Sequence, residues 1–302
     1  AADTDRRAPS VARQVNRARL DQILASGVLR EHADEPEDPA LLAMDPVARG
    51  LGVETPGKLT DLMALMRRDE PAVVYEQRER ARAARTLAAR CARRAARLDH
   101  ANPSGRAIDE IETAMRWIMM LRLALLRTQL HLIVATLEEH LGGRPEALGP
   151  ARAREILLGA IDAGCDAVRR YDPGAGGRLA ARVGLALTRH ASRLRDAAPA
   201  STPGRAGRGI GTGHDAPDWA DHLWRRWWWI RPPAHALAAL GTLDERDRAV
   251  LTDRLGLTGE RPITLDELAE IRRTSRPGAV RLERGALRRL WASSETPARR
   301  DG

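Results

Sequence analysis

Residues 264–291 read TLDELAEIRRTSRPGAVRLERGALRRLW. Thr264 followed three residues later by Glu267 is a capping box, in which each residue satisfies an otherwise orphan amide at a helix start. Ile263, just before the cap, is placed to staple onto Leu268. A helix therefore begins at Thr264. After the turn IRRTS a second helix follows, with Ala279, Leu282, Ala286 and Leu290 recurring on one face. Arg281, Arg284 and Arg288 are left on another face. This is the pattern of a helix-turn-helix, whose last helix lies in a major groove with arginines reaching bases and phosphates. A plain helical hairpin with a solvated basic face has the same spacing, so the pattern alone leaves both open.

Working outward, a preceding helix is expected from Asp244 to Leu255, with Val250, Leu251 and Leu255 inward and Gly256 stopping it. Further upstream, APASTPGRAGRGIGTGHDAP (198–217) is nearly devoid of large apolar residues and reads as a flexible linker. Between them lies WADHLWRRWWWIRPP (219–233). Trp227, Trp228 and Trp229 fan over about 200° of a helix and cannot all face one core. Docking between domains, a partner surface and a single-strand stacking platform are all consistent with that fan.

Before the linker, residues 107–141 read as one long helix with Leu123, Leu126, Leu130, Ile133, Val134 and Leu137 in a buried stripe. GGRPEALGP (142–150) ends it. Further helices are expected over 151–171 and 178–197, separated by the GAGG turn (174–177). Upstream, RERARAARTLAARCARRAARL lies in a basic helix from Ala72 to Leu98, its arginines expected to be solvated. HADEPEDPA (32–40) reads as a loop. No strand signal is found, and Phe is absent, so the fold is expected to be all-α. The expected domains are a helical extension (1–106), a helical domain (107–197), a linker with the Trp-rich helix (198–235), a terminal domain (236–291) and a tail (292–302).

The 302-residue chain carries a formal charge of +9, which favours a polyanionic partner. All its basic residues except Lys58 are arginine. A GC-rich coding sequence accounts for arginine in place of lysine, but not for the excess of charge. Cys91 and Cys165 are too few for a disulfide framework and lack metal-ligand spacing. There is no run of 18 apolar residues and no signal core, so a cytoplasmic protein without a membrane span is expected. The first residue is not Met, as in a trimmed or partial start. Ser-His-Asp spacing, a phosphate-binding glycine loop and HExxH are all missing, and His214, His222 and His235 are spaced too irregularly for a metal. Neither an enzyme nor a cofactor is expected.

LDERDRAVLTDRLGL (243–257), TLDELAE (264–270) and SRPGAVRLERGALRRL (275–290) together resemble the minus-35-reading domain of sigma-70 family RNA polymerase sigma factors. LLRTQLHLIVATLEEHL (125–141) is similar to the family's E-A-N-L-R-L-V-V-S-I-A-x-x-Y helix. EILLGAIDAGCDAVRRYDPGAGGRLA (155–180) resembles the segment marked by A-V-x-K-F-D-x-x-R-G. The likeness implies a region 2-like helical domain, a flexible linker and a region 4-like (winged-helix-like) helix-turn-helix. The function implied is transcription initiation, with core RNA polymerase and double-stranded promoter DNA as partners and an anti-sigma protein as a further partner class.

Carried onto this chain, the likeness implies minus-35 contacts from Thr264, Ser275, Arg276, Pro277, Val280, Arg281, Arg284 and Arg288. Arg178, Arg182, Arg189 and His190 fall on the minus-ten side. Polymerase contacts fall on Glu155, Leu158, Ile161, Asp162 and Cys165. Three departures matter. LAARVGLAL (179–187) lacks the aromatics with which the family stacks flipped bases, so strand opening would rest on arginine. EILLGAI (155–161) replaces polar docking groups with apolar ones. Arg281 stands where the family has glutamine and would favour guanine over adenine. Two other readings remain: a sigma-like regulator that binds without opening promoters, and a basic helical protein that binds nucleic acid or serves a structural role.

Overall fold

The computed structural model describes residues 11–26, 63–64, 66–67, 73–197, 222–223 and 231–295, and in these the secondary structure is entirely helical. The helices are α1 (Val11–Ala25), α2 (Val74–Ala96), α3 (Gly105–Arg127), α4 (Leu130–Leu141), α5 (Pro150–Arg169), α6 (Leu179–Ala197), the short α7 (Ala234–Leu237), α8 (Glu245–Leu255), α9 (Leu265–Ile271) and α10 (Arg276–Glu295). The loop 32–40, the linker 198–217 and the tryptophans at 224 and 227–229 lie outside the described residues.

The first core is built around α3. Ser104 caps this helix by accepting from the Ala107 amide, and Ala107 to Leu126 are buried except Glu110 and Ala114. On α2, Ala81, Ala84, Ala88, Cys91, Ala92 and Ala95 form a stripe of small side chains that lets it lie close on α3. Its arginines are not simply solvated: Arg80 pairs with Glu76, Arg82 with Glu79 and Arg94 with Glu110. Leu20 and Ile23 of α1 enter the same core, which therefore runs without interruption across residue 106.

The single helix expected over 107–141 is two helices, bent by 52° at Thr128-Gln129. No glycine or proline marks the break. The Thr128 hydroxyl donates to the Leu125 carbonyl (2.7 Å) and the Gln129 amide to Leu126 O (2.8 Å), tightening the last turn of α3. Gln129 and Gln77 donate side-chain hydrogen bonds to the same hydroxyl. The bend keeps Leu130, Ile133, Val134 and Leu137 of α4 in the core.

Against α3 and α4 lies α5. A Cβ at Gly164 would stand 2.9 Å from Leu126 Cδ1, so this close crossing depends on glycine. α6 then covers α5 with Leu179, Val183 and Leu187 of the first core, spaced four apart, and Ala191, four further on, is also buried. Among the described residues no single helix is long and apolar enough to cross a membrane.

A second core joins α8, α9 and α10 through Val250, Leu251, Leu255, Leu265, Leu268, Ala269, Ala279, Ala286 and Leu290. The capping box is present: Thr264 Oγ1 accepts from the Glu267 amide (3.2 Å), and Glu267 Oε2 accepts from the Thr264 amide (2.6 Å). Ile263 and Leu268 belong to this core, as a staple requires. α9 ends in a Schellman turn, with the Thr274 amide on Ala269 O and the Arg273 amide on Glu270 O. Arg273 takes the left-handed position there (φ 50°), where glycine is usual. Only residues 272–275 separate α9 from α10.

Candidate nucleic-acid interface

The side chain of Ser275 accepts from the Gly278 amide and starts α10. Ala279, Ala286 and Leu290 turn that helix into the second core. At 100° per residue, Arg281, Arg284 and Arg288 then share an outward arc of about 60° with Pro277, and all four residues are exposed or half-exposed. Among the described residues no acid forms an ion pair with these three arginines. Exposed guanidinium groups of this kind suit phosphate and the paired acceptors of guanine.

The other expected contacts on this side differ. Arg276 is already engaged: its Nε lies 3.3 Å from Asp266 Oδ1, and Nη2 donates to the Gly105 carbonyl at 3.3 Å. Val280 is half-buried against the second core and off the exposed arc. The Thr264 hydroxyl is occupied by the capping box.

A second basic stripe lies on α6. Arg182, Arg189 and Arg193 lie along one face, with Leu185 (51% exposed) among them and Arg178 just before the helix. His190 is not part of it. Its ring packs over Gly159 of α5, within 2.9 Å of where a Cβ would stand. Burial and the charge of Arg193 push its pKa down, against the pull of Asp162. It is a packing group between two helices.

The five residues expected to meet polymerase do not form one surface. Glu155 and Asp162 are exposed, Glu155 pairing with Arg152 (2.8 Å) and Asp162 with His222 (3.0 Å). Ile161 is wholly buried in the first core, while Leu158 and Cys165 pack against it. Burial raises the Cys165 thiol to about 11. The reason is geometric: Leu158, Ile161 and Cys165 lie on the face by which α5 meets its neighbours. Among the described residues no group of His, Cys, Asp or Glu is arranged to hold a metal.

The largest feature not foreseen from the sequence lies between the cores. Arg254 of α8 is 2% exposed. Its Nη2 donates to Asp109 Oδ1 of α3 (2.8 Å), its Nε to Glu283 Oε1 of α10 (2.8 Å), and its Nη1 to Thr113 Oγ1 (3.3 Å) and the Ile263 carbonyl. Asp109 Oδ2 also accepts from the Leu265 amide (2.8 Å). Nearby, Arg19 of α1 pairs with Glu112. Buried Arg116 is pushed down to about 10 by desolvation and by the charge of Arg254. Burial disfavours the Glu283 carboxylate, but Arg254 and Arg116 outweigh it and hold the pKa below the usual range. Spacing carried a faint signal, since Glu283 falls at an inward position between Ala279 and Ala286, and Arg254 four after Val250.

No family model matches the chain, and comparison with curated proteins finds no significant match.

Proposed function

We propose that the chain is a divergent sigma-type initiation factor, which binds promoter DNA through α10 and core RNA polymerase through the helical unit around α3. The observation that carries this reading is the arc of Arg281, Arg284 and Arg288. It faces solvent, without acid partners among the described residues, and is set on the helix that follows a capped short helix across a four-residue turn. Arg178, Arg182, Arg189 and Arg193 supply a second phosphate-attracting stripe. Affinity from such stripes falls steeply with salt, by roughly 0.9 in log–log slope per phosphate neutralised.

A pull-down with core RNA polymerase and run-off transcription from selected promoter fragments test the reading. Retention of polymerase with start-site-specific transcripts is expected. Failure to retain polymerase together with the absence of transcripts would refute it.

One observation favours the second reading, a regulator that binds without opening promoters. The exposed face of α6 has arginines and Leu185 but no aromatic ring to hold an unstacked base, and such stacking contributes about 1–3 kcal/mol per base. Transcription from a pre-melted bubble but not from a closed duplex would select this alternative.

A further inference from the structure

Two other helices of this chain end in the left-handed conformation, and both do so on glycine: Gly142 closes α4 and Gly256 closes α8. At the end of α9 the same conformation falls on Arg273 (φ 50°), and among the described residues no other side chain sits at a positive φ. An L-residue there crowds its Cβ against the following carbonyl, a strain that glycine avoids. The Schellman hydrogen bonds of the turn fix the backbone but need no side chain, so glycine would satisfy them equally. Nor does the fold use the guanidinium: Arg273 is exposed, with no ion pair or side-chain hydrogen bond among the described residues. Its neighbours are tied down, Arg272 at 3.0 Å from Asp253 and Arg276 at 3.3 Å from Asp266.

Strain kept where the fold does not need it points to a use outside the fold. A major groove is about 12 Å wide and a helix with its side chains about 10–12 Å across, so a helix lying in the groove fills it. The chain that leads into such a helix must therefore pass the wall of phosphates. Arg273 stands two residues before the Ser275 cap, at most about 7 Å along the chain. Ser275 and Pro277, at the start of α10, are exposed as well. The arc of Arg281, Arg284 and Arg288 begins further along the helix, so a cation at Arg273 meets the duplex at the opposite end of α10.

We infer that Arg273 is a phosphate contact that sets the register of α10 on duplex DNA, and that the left-handed strain is retained for that contact. The inference rests on the DNA-binding reading above. Contacts to phosphate fix register and orientation but carry no base preference, so loss of this one weakens all duplexes alike.

Two variants of the full chain separate charge from strain at this exposed position. Arg273→Gly removes both, and Arg273→Lys removes neither. Stability is read from denaturant midpoints. Binding is read from anisotropy over about 50 to 200 mM salt, with duplexes selected from a random pool and with unselected duplex. Arg273→Gly should show a higher midpoint, weaker binding and a salt slope smaller by about 0.9, so that its deficit narrows about 3.5-fold over that range. Selected and unselected duplexes should lose affinity by the same factor, and Arg273→Lys should keep the parent's slope. Parent-like affinity and slope in Arg273→Gly overturn the contact and leave DNA binding through Arg281, Arg284 and Arg288 standing. A loss confined to selected duplex overturns it too, because that marks a base contact, as does a lysine variant that loses as much slope as the glycine one. A lower midpoint in Arg273→Gly shows the side chain holding the fold and overturns the link between strain and contact. If the parent binds no duplex at all, the DNA-binding reading fails and this inference with it.

Discussion

Arg254 and Asp109 are 145 residues apart in the chain, yet they meet at 2.8 Å with side chains 2% and 1% exposed. This pair is the most deeply buried of several polar contacts that join the two hydrophobic cores. A buried charge left without its partner is costly, typically about 3–5 kcal/mol. Arg254→Met strands both Asp109 and Glu283, so a loss of that size is expected in urea unfolding followed by tryptophan fluorescence. A loss under about 1 kcal/mol, the range of an exposed pair, would show that the pair is not closed in solution.

Acid should act on the same place. Glu283 is held below the usual carboxylate range, so its contribution is complete above the unfolded value of about 4.3 and is lost as pH falls through the lower folded value. Stability should therefore stay level from neutral pH to about 5 as far as Glu283 is concerned, and fall below about 4. In Glu283→Gln the stability at neutral pH is lower and the acid limb shallower. Thermal melts from acid to neutral pH measure both, and an acid limb identical to the parent's would contradict the assignment.

Two glycines with the same helical environment predict opposite signs. Gly184 of α6 has open space where an added methyl would stand, so Gly184→Ala gains helix propensity, about 1 kcal/mol. At Gly164 the methyl would press on Leu126, which is fully buried and has nowhere to go. Overpacking of about 1–3 kcal/mol then exceeds the propensity gain. Melting temperature should rise for the first variant and fall for the second.

Arg273 occupies a left-handed position that disfavours side chains. Arg273→Gly should stabilise the terminal unit by about 0.5–1 kcal/mol, after the greater freedom of glycine in the unfolded chain is allowed for. Denaturant midpoints report it, and a destabilised variant would mean that the Arg273 side chain makes an interaction that outweighs the strain.

Arg281→Ala, Arg284→Ala and Arg288→Ala should each reduce the salt slope of duplex binding by about 0.9 for every phosphate left unneutralised. Arg281→Gln should in addition move base preference from guanine towards adenine. Anisotropy titrations over a salt series check the first, selection from random duplexes the second. A slope unchanged in all three alanine variants would place the DNA-binding surface elsewhere.

Much of the helical framework follows from local pattern. The capping box at Thr264, the stop at Gly256 and the four-residue spacing of Leu179, Val183 and Leu187 are decided by neighbours within one or two turns, so they can be read without the fold. The outward arc of Arg281, Arg284 and Arg288 is legible for the same reason: it is what remains once Ala279, Ala286 and Leu290 face inward. The break at Thr128-Gln129 is not, because a hydroxyl and two amides make it rather than glycine or proline.

Tertiary packing decided the rest. Ile161, His190 and Val280 can be placed on a helix from sequence, but which neighbour covers each of them depends on how helices cross. Charge shows this most clearly. Arg254 and Arg284 are the same residue type and each directly follows an acid in the chain (Asp253, Glu283), yet one is sealed between two acids and the other faces water. Sequence determines that an arginine is charged. Only the fold determines whether water, a carboxylate or an incoming phosphate answers that charge, because the interaction depends on distance and on the dielectric around it.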